Sequence, residues 1–299
     1  MTGAALARKP TARIAVITGA SSGIGLTAAK ALASQGWRII GTGRDAERTA
    51  RAEAQIRAAA ASGVRIDMIR VDLALLSDAA RAAGDICALT DRVDVLINNA
   101  GGTAKQRVMT AEGNEATFAG NHLGHFVLTH RLLPLLRAAA AQGARGSTRI
   151  INVSSSAHEV APGLDWNDLQ MTVGNFVPIA AYCNAKLANL LFSRMLAERL
   201  APEGIVVHAM HPGAVSTNFI NHADEGTQKY LRGINLVSPE EGADTVVWLA
   251  TADEPGTTSG GYFHQRRRIP TSAAADDREA ARRLWMESER LAAAVLGQG

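Results

Sequence analysis

The chain has 299 residues, 47% of them hydrophobic and 20% charged, a globular balance that excludes a disordered or collagen-like chain. Lys plus Arg number 31 against 28 acidic residues, so the net charge of +3 is too small for a nucleic-acid-binding face, although the pI is 9.1. Two cysteines, Cys87 and Cys183, exclude a disulfide framework and a paired-cysteine zinc site, and with no signal-peptide core before Arg13 and no run of eighteen apolar residues they predict a cytoplasmic protein without a membrane span.

In chain order, Ile14 to Thr18 reads as a first buried strand. It runs into Thr18-Gly19-Ala20-Ser21-Ser22-Gly23-Ile24-Gly25, which opens a helix reaching Ser34. Glycines at these positions serve a tight turn, a close backbone approach to a pyrophosphate and close helix–strand packing, while the helix N-terminus offers N–H groups to phosphate. A second strand, Trp37 to Thr42, ends in Gly41-Thr42-Gly43-Arg44-Asp45. Arg44 falls nineteen residues after Gly25, where an NAD site presents an acid and an NADP site an arginine. NADP(H) is therefore the expected cofactor, with Arg44, helped by Ser21 or Thr42, on the 2′-phosphate, and Asp45 capping a helix over 46–61.

Arg65 to Val71 makes a third strand that closes on Asp72-Leu73, where a carboxylate can accept from an adenine amino group. After a helix over 75–89, the strand Val93 to Asn98 closes on Asn98-Asn99-Ala100-Gly101, whose small residues let a cofactor ribose lie against backbone. A helix over 116–140, a strand over 148–154, a helix over 179–200 and a strand over 205–210 follow. Residues 157–177 and 212–232 are long loops at strand ends, the usual place for ligand contacts in an open α/β sheet. Arg266, Arg267 and Arg268 read as a surface turn, and 273–296 as a last helix with Leu284, Trp285, Leu291 and Leu296 as its apolar residues. Strand–helix alternation without a linker predicts one doubly wound parallel α/β domain, a Rossmann fold, over 1–299.

Tyr182 and Lys186 stand four apart on one helix face. A phenol ionises near 10, and a neighbouring ammonium favours its phenolate. Together with the glycine-rich turn, Asn98 to Gly101, Asn121, the Ser154–Ser155 pair and Pro212-Gly213-x-x-x-Thr217, this ordered set resembles the short-chain dehydrogenase/reductase family from about Arg13 to Phe263. The resemblance implies Tyr182 as general acid/base, Lys186 on the nicotinamide ribose and lowering the tyrosine pKa, and Ser155, with Ser154 as the alternative, orienting the substrate oxygen. It also implies Asn121 anchoring a water that links Lys186 to solvent, and Pro212, Gly213, Val215 and Thr217 beside the nicotinamide amide.

The chain is most similar to the retinol-dehydrogenase-like group of that family. Asn121-His122-Leu123-Gly124-His125-Phe126, the strand Ile151 to Ser155 with Ala157-His158, and Ala281-Arg282-Arg283-Leu284-Trp285 carry this resemblance. The N-terminal hydrophobic segment of its membrane-anchored members is missing, so a retinoid substrate is not inherited. Ser155 and Tyr182 lie 27 positions apart, wider than in shorter members, so the intervening loop with Asp165, Trp166 and Leu169 must fold outward for the two to meet.

The expected function is thus hydride transfer between NADP(H) and a carbonyl or alcohol carbon of a small lipophilic substrate. A non-catalytic NADP-binding sensor or scaffold is the alternative; it would have no need of Asn121, Ser155, Tyr182 and Lys186 together. An epimerase or dehydratase of the same superfamily fits the glycine spacing less well. No metal is expected: His122, His125 and His130 read as structural, and Cys183 as a buried small residue facing away from Tyr182. Trp166, Phe176, Phe219, Tyr230 and Trp285 either line an apolar pocket or pack. The apolar helices over 116–140 and 179–200 suggest a homodimer or tetramer, unless the C-terminal helix covers that surface.

Overall fold

The computed structural model describes residues 12–216 and 223–297. Short runs rich in β-branched residues form β1 (Ile14–Ile17), β2 (Arg38–Gly43), β3 (Ile66–Arg70), β4 (Val95–Asn98), β5 (Arg149–Val153), β6 (Val206–Met210), β7 (Tyr262–His264) and β8 (Arg267–Arg268). They hydrogen-bond in the order β3-β2-β1-β4-β5-β6-β7-β8, every pair parallel except β7 with β8. Every residue of β1, β4, β5 and β6 is buried, as a sheet covered on both faces requires. Chain order reverses between β1 and β4, and a crevice opens there beyond the carboxyl ends of the strands.

One face is covered by α1 (Gly23–Ser34), α2 (Ala46–Ala59) and α8 (Pro239–Thr251). Ala28, Ala29 and Ala33 are wholly buried in α1, so its backbone can approach the sheet closely. The other face carries α3 (Leu76–Leu89), α5 (Gly124–Gln142), α6 (Pro178–Leu200) and α10 (Arg278–Leu296), and its core runs from Val16 and Leu96 through Phe126 and Leu191 to Trp285. Two shorter helices, α7 (Glu225–Arg232) and α9 (Ala273–Asp276), complete the set. The predicted helix over 116–140 is one rod with a defect: α4 (Ala116–Phe118) passes through a π-helical turn, Ala119–Leu123, into α5.

Four elements lie outside the predicted set, and the first, α7, falls within residues 212–232, expected to be a loop. Helix α8 starts with a capping box, in which Ser238 accepts from the Glu241 N–H and Glu241 accepts from the Ser238 N–H, with Pro239 in the first turn. Strand β7 lengthens the parallel sheet, and the predicted arginine turn is corrected: Gln265 and Arg266, both at positive φ, make the turn, while Arg267 and Arg268 form the edge strand β8. Arg266 is held there by an ion pair with Asp244 of α8.

A buried polar chain fastens the middle of the sheet. Asn98 and Asn152 sit opposite each other in β4 and β5, and the Asn98 amide donates to Asn152 Oδ1 (2.8 Å) and Thr129 Oγ1 (2.9 Å). Asn152 in turn donates to Ser193 Oγ of α6 (2.8 Å).

Helix α10 covers the outer surface of α6. Trp285 packs against Phe126 (5.1 Å between ring centroids) and Phe192 (6.0 Å) and lies under the Arg199 guanidinium (4.1 Å), while Ser288 meets the buried His122 Nε2 at 2.8 Å. Removing a buried indole from such a wedge costs about 3–5 kcal/mol. Trp285→Ala should therefore lower the unfolding free energy in urea by that amount; a loss under about 1 kcal/mol would mean that α10 is not integral to the core. Among the described residues no helix is long and apolar enough to cross a membrane.

Candidate active site

A cleft of about 980 Å³ runs along the strand ends, lined from Gly19 and Arg44 at one end to Tyr182, Pro212 and Leu236 at the other. The sheet delivers the predicted glycine turn to its floor. Gly19 (φ 67°) and Gly23 (φ 52°) occupy the left-handed region, and a Cβ on Gly25 would collide with the Gly19 carbonyl and come 2.5 Å from Asn99 Nδ2. Ser21, Ser22, Gly23 and Ile24 line the cleft where α1 begins.

Thr18 ties this turn to the next strand end, accepting from the backbone N–H groups of Asn99 and Ala100 at 2.9 Å each. Its hydroxyl also meets His125 Nε2 at 2.9 Å, and His125 Nδ1 lies 2.9 Å from the Asn121 carbonyl. A carbonyl can only accept, so Nδ1 carries the proton and Nε2 receives the Thr18 hydroxyl. Burial drops the His125 pKa to about 4, which keeps the ring neutral. His125 thus has a task that spacing alone did not reveal: it links the glycine turn to the π-helical turn.

At the end of the cleft beyond β2 and β3, Arg44 and Arg48 both line it, beside Val71, Asp72 and Leu73. Asp45 caps α2 as expected, its Oδ1 accepting from the Arg48 N–H at 2.8 Å. Arg48 was missed; its position four residues past Arg44, in the first turn of α2, was the available signal. Thr42 is largely buried at the cleft wall, and its hydroxyl accepts from the Gly19 N–H at 3.4 Å, so it braces the turn. Asp72 Oδ1 accepts from the Ala74 N–H at 3.0 Å.

At the opposite end the structure brings Ser155, Tyr182, Lys186 and Asn121 together. Tyr182 and Lys186 share a face of α6, with the ammonium 5.4 Å from the phenol ring centroid. The Ser155 and Tyr182 side chains are hydrogen-bonded. Ser154 is not the partner: it is buried, and its hydroxyl donates to the Lys186 carbonyl at 2.8 Å, fastening β5 to α6. Lys186 Nζ donates to the Val153 carbonyl (3.1 Å), and a Cβ on Gly101 would lie 3.3 Å from it. Asn121 sits in the π turn; its amide donates to the carbonyls of Gly102 and Thr117 (2.7 Å each), and Oδ1 accepts from the Gly102 N–H (3.2 Å).

The electrostatics differ from expectation. Burial pushes the Tyr182 phenol up to about 12 against the opposing effect of the Ser155 hydrogen bond, and burial pulls the Lys186 ammonium down to about 8. Desolvation governs the phenol and the opposing pull comes from Ser155, with no lowering by Lys186, so Tyr182 keeps its proton at neutral pH.

Pro212, Gly213 and Val215 line the cleft, and Val215 forms an isolated parallel bridge to Val237; Thr217 and Phe219 lie outside the described residues. The long insertion does fold outward. Arg107 donates to the carbonyls of Met171 (2.9 Å) and Gly174 (2.6 Å), and Gln170 Oε1 accepts from the Glu115 N–H (2.8 Å). Trp166 and Phe176 lie under Arg283 and Arg107, and Trp285 is in the core, so these three aromatics pack rather than line the cleft; the Tyr230 side chain lies outside the described residues. Cys183, the residue after Tyr182 in α6, is buried but lines the same cleft and so does not face wholly away, and burial pushes its thiol up. Among the described residues no group of three His, Cys, Asp or Glu side chains could hold a metal ion.

Residues 13–166 match the short chain dehydrogenase family profile. Retinol dehydrogenase 13 of Homo sapiens is 38% identical over 97% of this chain and 88% of its own length, and polyprenol dehydrogenase of Mus musculus is 37% identical over 94% and 84%. Among solved structures, the RhlG/NADP active-site complex of Pseudomonas aeruginosa superposes with a TM-score of 0.67 at 28% identity, covering 89% of this chain and 97% of that one. With this sheet order, glycine turn and Ser–Tyr–Lys grouping, the chain belongs to the short-chain dehydrogenase/reductase family of nicotinamide-dependent oxidoreductases and is similar to its retinol dehydrogenases.

Proposed function

We propose that the protein uses NADP(H) to interconvert a carbonyl and an alcohol on a small lipophilic substrate. The observation that carries this reading is the Ser155–Tyr182 hydrogen bond beside Lys186, at the far end of one cleft from the glycine turn. The cleft suits a dinucleotide: Gly19, Gly23 and Gly101 line it, so backbone is open to close approach there, and a Cβ at Gly101 would crowd Asn121 and Lys186. Arg44 and Arg48 would hold the 2′-phosphate, while Ser22, Gly23 and Ile24 would meet the pyrophosphate at the start of α1. A bound nicotinamide supplies or accepts the hydride. In the reductive direction the Tyr182 phenol gives its proton to the substrate oxygen, and the Ser155 hydroxyl stabilises the charge growing there. Lys186 would hold the ribose hydroxyls, with Asn121 fixing the Gly101–Gly102 turn beside it.

A lipophilic substrate is favoured by Ile179, Leu231, Ile234 and Leu236, which add apolar wall to the substrate end of the cleft. It also agrees with the retinol and polyprenol named in the relatives' activities. Screening lipophilic aldehydes, ketones and secondary alcohols with NADPH or NADP⁺ should give turnover. Tight NADPH binding with no turnover across that panel would replace this reading with that of a cofactor-binding sensor.

The pH dependence has a fixed sign. Lys186 loses its positive charge as pH rises through about 8, whereas Tyr182 keeps its proton to about 12. The kcat/KM for NADPH, which reports the free enzyme, should therefore fall above about pH 8. A profile flat to pH 10 would contradict the assigned role of Lys186.

A further inference from the structure

We infer that His158 is a positioning residue, which holds the Ser155 backbone in place and ties it to the C-terminal segment. This rests on the reading of Ser155 given above. His158 is wholly buried and lies outside the group that would touch cofactor or substrate. Its Nδ1 is 2.8 Å from the Ser155 carbonyl, and its Nε2 accepts the Ser272 N–H at 3.3 Å. An acceptor at Nε2 and a carbonyl at Nδ1 allow one arrangement only: a neutral ring protonated on Nδ1. The His158 N–H reaches the same carbonyl at 3.2 Å, and Tyr262 packs edge-on against the imidazole at 5.2 Å, leaving the ring little freedom.

Ser155 needs such a hold. On its N-terminal side β5 is secured, since the Ser154 N–H donates to the Met210 carbonyl (2.7 Å) and the Ser154 hydroxyl to Lys186. On its C-terminal side 26 residues intervene before Tyr182, and much of that stretch is the outward loop. Locally, the Ala157 N–H donates to Ser155 Oγ at 3.1 Å. His158, in the single helical turn Ser156–Val160 that opens this stretch, closes the gap by reaching across to Ser272.

The far end of the tie is itself anchored to the helix that carries Tyr182. Ser272 caps α9, and Arg194 of α6 donates to the Ala275 carbonyl (3.1 Å) and pairs with Asp276. A continuous path therefore runs from α6 through Arg194, α9, the Ser272 N–H and His158 to Ser155. The serine and tyrosine that must meet on one oxygen are fixed to each other from behind, through a segment distant in sequence from both.

The geometry of the ring gives two informative substitutions. Asn places an amide nitrogen near Nδ1 and can keep the bond to Ser155, whereas Gln places an oxygen near Nε2 and can keep only the bond to Ser272. With decanal and NADPH, His158→Gln and His158→Phe should lower kcat roughly tenfold to a hundredfold, the range for a misplacement of about 1 Å in a catalytic group. NADPH affinity should stay within about twofold, and His158→Asn, which keeps the Ser155 bond but loses the tie to Ser272, should recover part of the loss. In a Ser155→Ala background, His158→Phe should cost almost nothing further, because both act through one hydroxyl. Additive losses, or an Asn variant as impaired as Phe, would overturn the positioning role while leaving Ser155 in place; a fully active Ser155→Ala would instead overturn the reading of the site. A test independent of turnover is the ¹⁵N spectrum of histidine-labelled full-length protein: His158 should show the Nδ1–H tautomer at neutral pH, and an Nε2–H tautomer or an imidazolium would refute the assignment.

Discussion

Tyr182→Phe should bind NADPH within about threefold of the native protein yet lose roughly 10²- to 10⁴-fold in kcat, the usual worth of a positioned proton donor. The ring survives the substitution, so α6 keeps its packing and Lys186 keeps an aromatic neighbour at 5.4 Å. What disappears is the one hydroxyl bonded to Ser155 and held protonated by burial, with a pKa of about 12. Fluorescence titration separates binding from turnover in the same samples. If kcat falls by less than tenfold, the proton comes from elsewhere and the proposed chemistry is wrong.

The second large effect concerns cofactor choice. Asp45, next to Arg44 past the end of β2, caps α2 through the Arg48 N–H and does not line the cleft. Arg44, exposed, and Arg48, half-buried, instead line the cleft. A charge-assisted contact to phosphate is worth about 1.5–3 kcal/mol, with solvent exposure favouring the lower figure. Arg44→Ala should therefore raise the KM for NADPH about tenfold, and the double variant with Arg48→Ala about a hundredfold, while KM for NADH changes less than twofold. Native protein that prefers NADH, or parallel losses with both cofactors, would remove NADP specificity from the proposal.

Much of this was legible in the sequence because its strands are short, β-branched and regularly interrupted. The glycine turn, the Asn98–Gly101 strand end and the Tyr182–Lys186 pair each depend on local spacing, and all of them reach one cleft. Elements fixed by distant partners were not legible. Strand β7 is three residues long and has meaning only beside β6; its hairpin with β8 needs Gln265 and Arg266 at positive φ, for which neither residue type is a signal. The π-helical turn leaves no trace in the periodicity, yet it places Asn121. The anchoring of the insertion by Arg107 depends on carbonyls more than sixty residues away. The tyrosine pKa departs from expectation for a similar reason: a neighbouring charge can be read from spacing, whereas the depth of burial cannot.

The Asn98–Asn152–Ser193 chain has a consequence for how the protein reaches its native state. Two uniformly oily strands could pair in several offsets with nearly equal burial, because almost any alignment covers hydrocarbon. The amides break that degeneracy: an offset of one residue, about 3.3 Å, would strand them among aliphatic side chains without partners. The same offset would carry Ser155 away from Tyr182. Mispaired chains are thus penalised during assembly, and the fault that would ruin the chemistry is also the one that leaves polar groups unsolvated in the interior.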